Sequence, residues 1–143
     1  MSKSVLCAID ISNPGEDSKV IKIAAQLAAQ DGAQLDVVTV LPDYGMPVVG
    51  SFFEKGDHGD ALKAAKTELK KEVTDALGAD RTAKVRHVVS TGKAYDEVLK
   101  VAKETKADLI VVGAHKPDFK DYLLGPNAAR IVRHSNCSVY VVR

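Results

Sequence analysis

The run Leu109–Gly113 reads LIVVG, an apolar stretch ended by a glycine. A second run of the same kind, Val5–Ile9, reads VLCAI and is closed by Asp10. Strands whose side chains are apolar in succession, instead of alternating with polar ones, are typical of parallel sheets covered on both faces. The two runs therefore predict strands of such a sheet.

Strand and helix patterns alternate along the rest of the chain. Three further strands are predicted over Leu35–Leu41, Val85–Ser90 and Ser138–Val142. Helices are predicted from Asn13 to Asp31 and over Asp60–Leu77, Ala94–Thr105 and Asn127–His134. This alternation predicts one α/β domain over residues 1–143, a doubly wound, Rossmann-like sheet of five parallel strands with helices on both faces.

Two connections carry more specific expectations. Asn13 stands where a helix N-cap is needed, Pro14 suits the first helical position, and Glu16 completes a capping box. The segment from Pro42 to His58 is long for a loop in a compact domain, and such loops are often lids or binding segments.

Composition excludes several classes of protein. The chain has 143 residues, with 20 Lys+Arg against 19 Asp+Glu, and this balance argues against nucleic acid as a partner. The apolar runs are far shorter than the roughly 18 residues of a membrane span. Cys7 and Cys137 lie in apolar runs, which suits a reducing compartment, and no targeting peptide is visible. We expect a cytoplasmic domain.

Ligands of open α/β sheets bind beyond the carboxyl ends of the strands. Of the segments that follow strands here, Gly113–Asn127 is the most informative. Its glycine pair, Gly113 and Gly125, brackets a loop that leads into a helix, and the N-terminus of a helix is a natural seat for phosphate. His115 and Lys116 could add donors, whereas the alternative is that the glycines only make turns.

Asp10 follows the first strand and also has two interpretations. Its carboxylate could accept a hydrogen bond from a ribose hydroxyl or help to hold a metal, or it could simply form an Asx turn. Walker A and G-x-G-x-x-G signatures are absent, and the histidines show no metal-ligand spacing. We therefore expect neither a resident metal nor a catalytic constellation.

The sequence resembles the universal stress protein family. The resemblance rests on the opening strand with Asp10 and on residues 108–143, with Tyr122-Leu123-Leu124-Gly125 before a helix and Cys137 leading into the last strand. The stretch from His115 to Asp118 is similar to a family branch with a histidine–basic–proline–aspartate loop. The resemblance implies the strand order 3-2-1-4-5.

The family's nucleotide-binding members bind ATP through the pattern Gly-x2-Gly-x9-Gly-Ser/Thr. Gly113 matches the first glycine, Lys116 stands at the second, Gly125 matches the third after a gap shorter by one residue, and Pro126 replaces Ser/Thr. The resemblance implies an ATP site, with or without Mg²⁺, in which Asp10 lies near the adenosine and Val40 against the base. The implied nucleotide-binding residues are Ala8, Ile9, Asp10, Val40, Val112, Gly113, His115, Lys116, Gly125, Asn127 and Ala128.

The resemblance also implies a stress-response or regulatory module with little or no turnover, paired as a homodimer through the last strand, residues 138–142. Two alternatives stay open. Pro126 lacks both an N–H and a hydroxyl, which favours a nucleotide-free signalling module that acts through a regulatory protein partner. A slow ATPase switch is the other, although no general base is evident beyond Asp10 or His115.

Overall fold

The computed structural model describes residues 4–12, 14–41, 57–114 and 125–143, and of residues 57–60 and 125–127 it describes the backbone. In chain order the strands are β1 (Ser4–Ala8), β2 (Gln34–Leu41), β3 (Arg86–Thr91), β4 (Leu109–Gly113) and β5 (Ser138–Val142). The helices are α1 (Ser18–Asp31), α2 (Asp57–Leu77), α3 (Ala79–Thr82), α4 (Ala94–Glu104) and α5 (Gly125–His134).

The five strands form one parallel sheet in the order β3-β2-β1-β4-β5, which confirms the predicted topology. The central strand β1 pairs with β2 on one side and with β4 on the other, so that Val5 is aligned with both Leu35 and Leu109. All five residues of β1 are buried. The uninterrupted apolar runs are therefore explained by a strand enclosed from every side.

Each face of the sheet has its own buried core. On the α1–α2 face, Val5 and Cys7 of β1 and the following Ile9 pack with side chains of α1 and α2, including Ile21 and Leu69. On the α4–α5 face, the alternate residues of the strands pack with side chains of α4 and α5, including Leu6, Val38, Val98, Ile110 and Ile131. Burial of such side chains contributes about 1.5–3 kcal/mol each, so both helix layers are held on by the sheet.

The start of α1 corrects the predicted capping box. The helix begins at Ser18, and the segment before it forms a turn in which Gly15 has a φ of +86°. Because that value is outside the right-handed helical region, a helix cannot begin near residue 13. The Asp17 carboxylate does not cap α1, but instead accepts the Asp10 N–H at 2.8 Å.

Other boundaries agree more closely with the sequence. The helix α2 begins three residues before the predicted Asp60 and ends, as expected, before Gly78. The short helix α3 was not predicted, and its last residue is held by a hydrogen bond from the Thr82 hydroxyl to the Gly78 carbonyl at 2.7 Å. The long loop predicted after Pro42 lies outside the described residues, except for its last two residues, which belong to α2.

Candidate functional site

The candidate site lies at the carboxyl edge of the sheet, on the α4–α5 face. Ala8 ends β1, Val40 precedes the last residue of β2, Val112 precedes the last residue of β4, and Ala128 lies in the first turns of α5. All four side chains belong to the same buried cluster. The structure thus brings together four predicted residues that are up to 120 positions apart in the chain.

Ile9 is placed differently from its predicted neighbours. Its side chain is fully buried in the cluster on the α1–α2 face, on the other side of the sheet. Its N–H donates to the Val38 carbonyl at 3.0 Å, which extends the β1–β2 pairing by one residue. Ile9 therefore contributes backbone, and not its side chain, to the carboxyl edge.

Asp10 forms the turn that the sequence offered as one interpretation. Its Oδ1 accepts the Ser12 N–H at 2.9 Å and also the Ser12 hydroxyl, while only 2% of the residue is exposed. A hydrogen bond from the N–H two residues later to an aspartate oxygen defines an Asx turn. The turn holds the carboxylate at the end of β1, beside the carboxyl edge.

The N-terminus of α5 provides the polar part of the edge. Gly125 is its first residue, with Pro126 and Asn127 next. The first N–H groups of an α-helix have no partner within the helix, and they carry a partial positive charge. Proline is compatible with this first turn because its fixed φ suits a helix start, although it removes one donor.

Gly113 and the histidine–basic loop complete the set of predicted residues. Gly113 is buried as the last residue of β4, and the following N–H, of Ala114, donates to the Val142 carbonyl at 2.7 Å. His115 and Lys116 lie outside the described residues, so their part in the site stays a prediction. Among the residues that are described, no group of three or more histidine, cysteine or acidic side chains could hold a metal ion.

Two buried carboxylates that sequence reasoning missed hold the segment between β1 and α1. Glu72 of α2 accepts the Gly15 N–H at 2.8 Å, and Asp17 accepts the Asp10 N–H at 2.8 Å. They are 6% and 2% exposed, respectively. The contact between Glu72 and Gly15 joins residues 57 positions apart, and no local pattern signals it.

The Cys7 thiol lies in the core of the protein. It is completely buried in the cluster on the α1–α2 face. Burial strongly raises the pKa of the thiol, and the negative charge of Asp17 raises it further. Because the thiolate is the nucleophile, these surroundings disfavour nucleophilic chemistry at Cys7.

The surroundings of His87 on β3 affect the charge of its imidazole. Burial lowers the pKa of its imidazole, and the positive charges of Lys70 and Lys66 on α2 lower it further. In the described part of the chain, its buried Nε2 has no hydrogen-bond partner. The folded state therefore favours the neutral imidazole.

We expect this histidine to make the fold less stable in mild acid. Its pKa is lower in the folded state than the usual 6.5, so the unfolded chain binds the proton more tightly. The stability contributed by neutral His87 is present above pH 6.5 and is lost as the pH falls through 6.5 toward the folded-state pKa. Urea denaturation at a series of pH values between about 5 and 8 measures the slope of the free energy of unfolding against pH.

A matched pair of variants tests the assignment. His87→Gln should remove the part of the pH dependence of stability that comes from this imidazole. Lys70→Met should only reduce that part, because it removes one of the two cations beside His87. If His87→Gln retains the wild-type slope between about pH 5 and 6.5, another group causes the acid sensitivity.

The fold and the carboxyl edge together define a doubly wound parallel α/β protein whose strand order reverses between β1 and β4. In this class, ligands bind at that point of reversal. The family model described as "Universal stress protein family" matches residues 1–143. The chain therefore belongs to the universal stress protein family.

Curated relatives match over nearly their whole length. Universal stress protein G of Shigella flexneri is 28% identical over 149 residues, and the match covers 100% of this chain and 100% of that protein. Universal stress protein A homolog 1 of Coxiella burnetii is 31% identical over 140 residues, which are 98% of this chain and 95% of that protein.

The described helices include none long and apolar enough to cross a bilayer.

Solved structures show the same fold. Universal stress protein UspA from Lactobacillus plantarum matches with a TM-score of 0.68 and 20% identity, over 99% of this chain and 97% of its own. A universal stress protein from Archaeoglobus fulgidus in complex with dAMP matches with a TM-score of 0.61 and 21% identity, over 99% and 98%. A universal stress protein in complex with cAMP matches with a TM-score of 0.60 and 22% identity, over 99% and 97%.

Proposed function

We propose that this protein binds an adenine nucleotide, ATP with or without Mg²⁺, at the carboxyl edge of its sheet. It acts there as a cytoplasmic, homodimeric regulatory module with little or no turnover. The observation that carries the proposal is the convergence of Ala8, Val40, Val112 and Ala128 on one face of the edge, next to the Asp10 turn and the N-terminus of α5. Family members in complex with dAMP and cAMP support the choice of an adenine nucleotide.

Each part of the edge suits one part of the ligand. The apolar side chain of Val40 packs against the base, and the Asp10 carboxylate accepts hydrogen bonds from ribose hydroxyls. The phosphates lie at the start of α5, where the N–H groups of Asn127 and Ala128 and the helix dipole favour negative charge. His115 and Lys116 supply further donors from the loop that follows β4.

Pro126 lowers the affinity of this site without removing it. A Ser or Thr at this position would provide an N–H and a hydroxyl, and proline provides neither. Loss of one hydrogen bond to a charged group costs about 1.5–3 kcal/mol, which corresponds to about tenfold to a hundredfold in affinity. The positive charge of Lys116 offsets part of this loss.

Calorimetric titration of nucleotide-free protein with ATP, with and without Mg²⁺, tests the proposal. We expect micromolar binding with about one nucleotide per chain. The matched control is a titration with the same concentration of inorganic triphosphate, which lacks the base and the ribose and should bind more weakly. Absence of binding at millimolar ATP would reject the nucleotide site and favour the nucleotide-free module that acts through a protein partner.

The position of β5 at the edge of the sheet supports the homodimer. β5 is the last strand in the sheet order, and within the described residues it pairs with β4 alone. Tyr140 and Val141 are 44% and 36% exposed, which is unusual for large apolar side chains in a strand. An uncovered edge strand with apolar side chains invites pairing with a second strand, and a second copy of β5 provides one.

We expect a charge on this strand to separate the dimer. Val141→Lys places an ammonium group where two copies of β5 would meet, and like charges directly opposite each other are unfavourable. Sedimentation velocity at micromolar concentration should give a dimer for the wild type and a monomer for the variant. Lys22→Gln, at an exposed position of α1, is the control, and it should remain dimeric. A wild-type monomer would contradict the proposed assembly.

A further inference from the structure

We infer that Glu72 is a positioning residue for the nucleotide site, since it holds the segment between β1 and α1 from the opposite face of the sheet. The inference rests on the proposed function. Glu72 lies on α2, whereas the proposed nucleotide lies on the α4–α5 face. The connection between them is the segment from Asp10 to Asp17.

Glu72 is a buried carboxylate with a specific hydrogen bond to the backbone of Gly15. It is 6% exposed, although it lies on a helix that is otherwise rich in exposed charges, and its Oε1 accepts the Gly15 N–H at 2.8 Å. A buried carboxylate is costly unless it is hydrogen-bonded. The position of the Gly15 backbone is therefore set by α2.

Among the described residues of this segment, Gly15 alone has a positive φ, and the charged acceptor Glu72 holds its N–H. Its φ of +86° is readily adopted by glycine alone, and glycine is also the residue with the greatest freedom to leave it. The hydrogen bond to Glu72 selects this conformation from the many available to glycine. Without this hydrogen bond, the turn between Asp10 and α1 is no longer fixed to α2 through Glu72.

Asp17 carries the constraint to the site. Its carboxylate accepts the Asp10 N–H at 2.8 Å, while the Asp10 side chain accepts from Ser12. Asp10 is thus held through its backbone by Asp17 and through its side chain by Ser12. Fixing the segment at Gly15 keeps Asp17, two residues later, in place to make the first of these bonds.

The experiment compares Glu72→Leu, Glu72→Gln and Val73→Ala. Leucine removes the acceptor, whereas the glutamine carbonyl can still accept the Gly15 N–H. Val73→Ala creates a cavity at the next, fully buried position of α2, which controls for a loss of stability alone. Each variant is first measured without nucleotide, by amide hydrogen exchange at Gly15 and by the NMR signals of the Asp10 and Ser12 amides, and then by titration with ATP.

We expect Glu72→Leu to lose exchange protection at Gly15, to shift the Asp10 and Ser12 signals and to weaken ATP binding by about tenfold. Glu72→Gln should leave the Asp10 and Ser12 signals in place and keep the exchange protection and the ATP affinity within about twofold of the wild type. Val73→Ala should bind ATP as the wild type does. Lost protection with unchanged affinity would overturn the inference, and so would equal weakening by Val73→Ala.

The amide signals separate this inference from the proposed function. If the wild type binds no ATP, the proposed function fails, and the inference is then decided by the nucleotide-free protein. Shifted Asp10 and Ser12 signals in Glu72→Leu would support a positioning role for Glu72 at this edge. Unchanged signals would overturn it.

Discussion

Replacement of Asp10 by alanine is expected to weaken ATP binding by about tenfold to a hundredfold. The carboxylate lies at the end of the central strand, where the proposed ribose would be, and alanine offers no acceptor there. A hydrogen bond to a charged group contributes about 1.5–3 kcal/mol. Calorimetric titration of wild type and variant measures the difference directly.

The same substitution removes the Asx turn, so its controls must separate the turn from the ligand contact. Ser12→Ala removes the hydroxyl that donates to Asp10 but leaves the carboxylate, and it should bind ATP nearly as the wild type does. Asp10→Asn keeps an oxygen that can accept the Ser12 N–H but loses the charge, so we expect an intermediate affinity. Unchanged affinity in Asp10→Ala would remove Asp10 from the site.

Replacement of Arg86 by methionine is expected to lower the free energy of unfolding by about 2 kcal/mol. Asp36 of β2 is completely buried, and both its oxygens accept hydrogen bonds from the Arg86 guanidinium, one of them at 2.9 Å from Nη2. These bonds and the charge of Asp36 raise the pKa of Arg86. Because the Arg86 side chain is 60% exposed, water attenuates the pair, and the expected loss is below that of a fully buried one.

Urea denaturation of a small set of variants tests this pair. Lys84→Met removes an exposed cation two residues earlier, and it should change stability by less than about 0.5 kcal/mol. The double variant Arg86→Met with Asp36→Leu should regain most of the loss, because an apolar pair of similar size replaces the ion pair. If the double variant is no more stable than Arg86→Met alone, the loss does not come from an unpaired buried carboxylate.

Local patterns were sufficient for most of the fold. The apolar runs of β1 and β4 indicated strands covered on both faces, and β5 was predicted with its observed bounds. Alternation of strands and helices limited the topology to a doubly wound parallel sheet. The start of α1 was predicted wrongly because Asn13, Pro14 and Glu16 satisfy a capping pattern locally, whereas a contact from α2 holds Gly15 in a non-helical turn.

The residues of the candidate site could be predicted only in part from the sequence. Asp10 and Gly113 stand out because a strand ends at or next to each, Gly125 stands out because a helix follows it in the sequence pattern, and the family resemblance added Val40 and Ala128. The roles of Glu72 and Asp36 were not readable, because each depends on a partner more than 45 positions away. An aspartate next to apolar residues in β2 does signal that a buried carboxylate needs a partner, but not that the partner is Arg86.

By itself, the sequence determined the chain order of the described strands and helices apart from α3, the family and the segments that end at the carboxyl edge. The order and the segments follow from periodicity and from residues adjacent in the chain, and the family follows from the resemblance carried by Asp10 and residues 108–143. The tertiary structure decided which face each residue occupies: Ala8 and Val40 lie on one face, and Ile9 on the other. It also decided that Glu72 holds Gly15, because a hydrogen bond between distant segments exists only once the packing of two helices against the sheet brings donor and acceptor within reach.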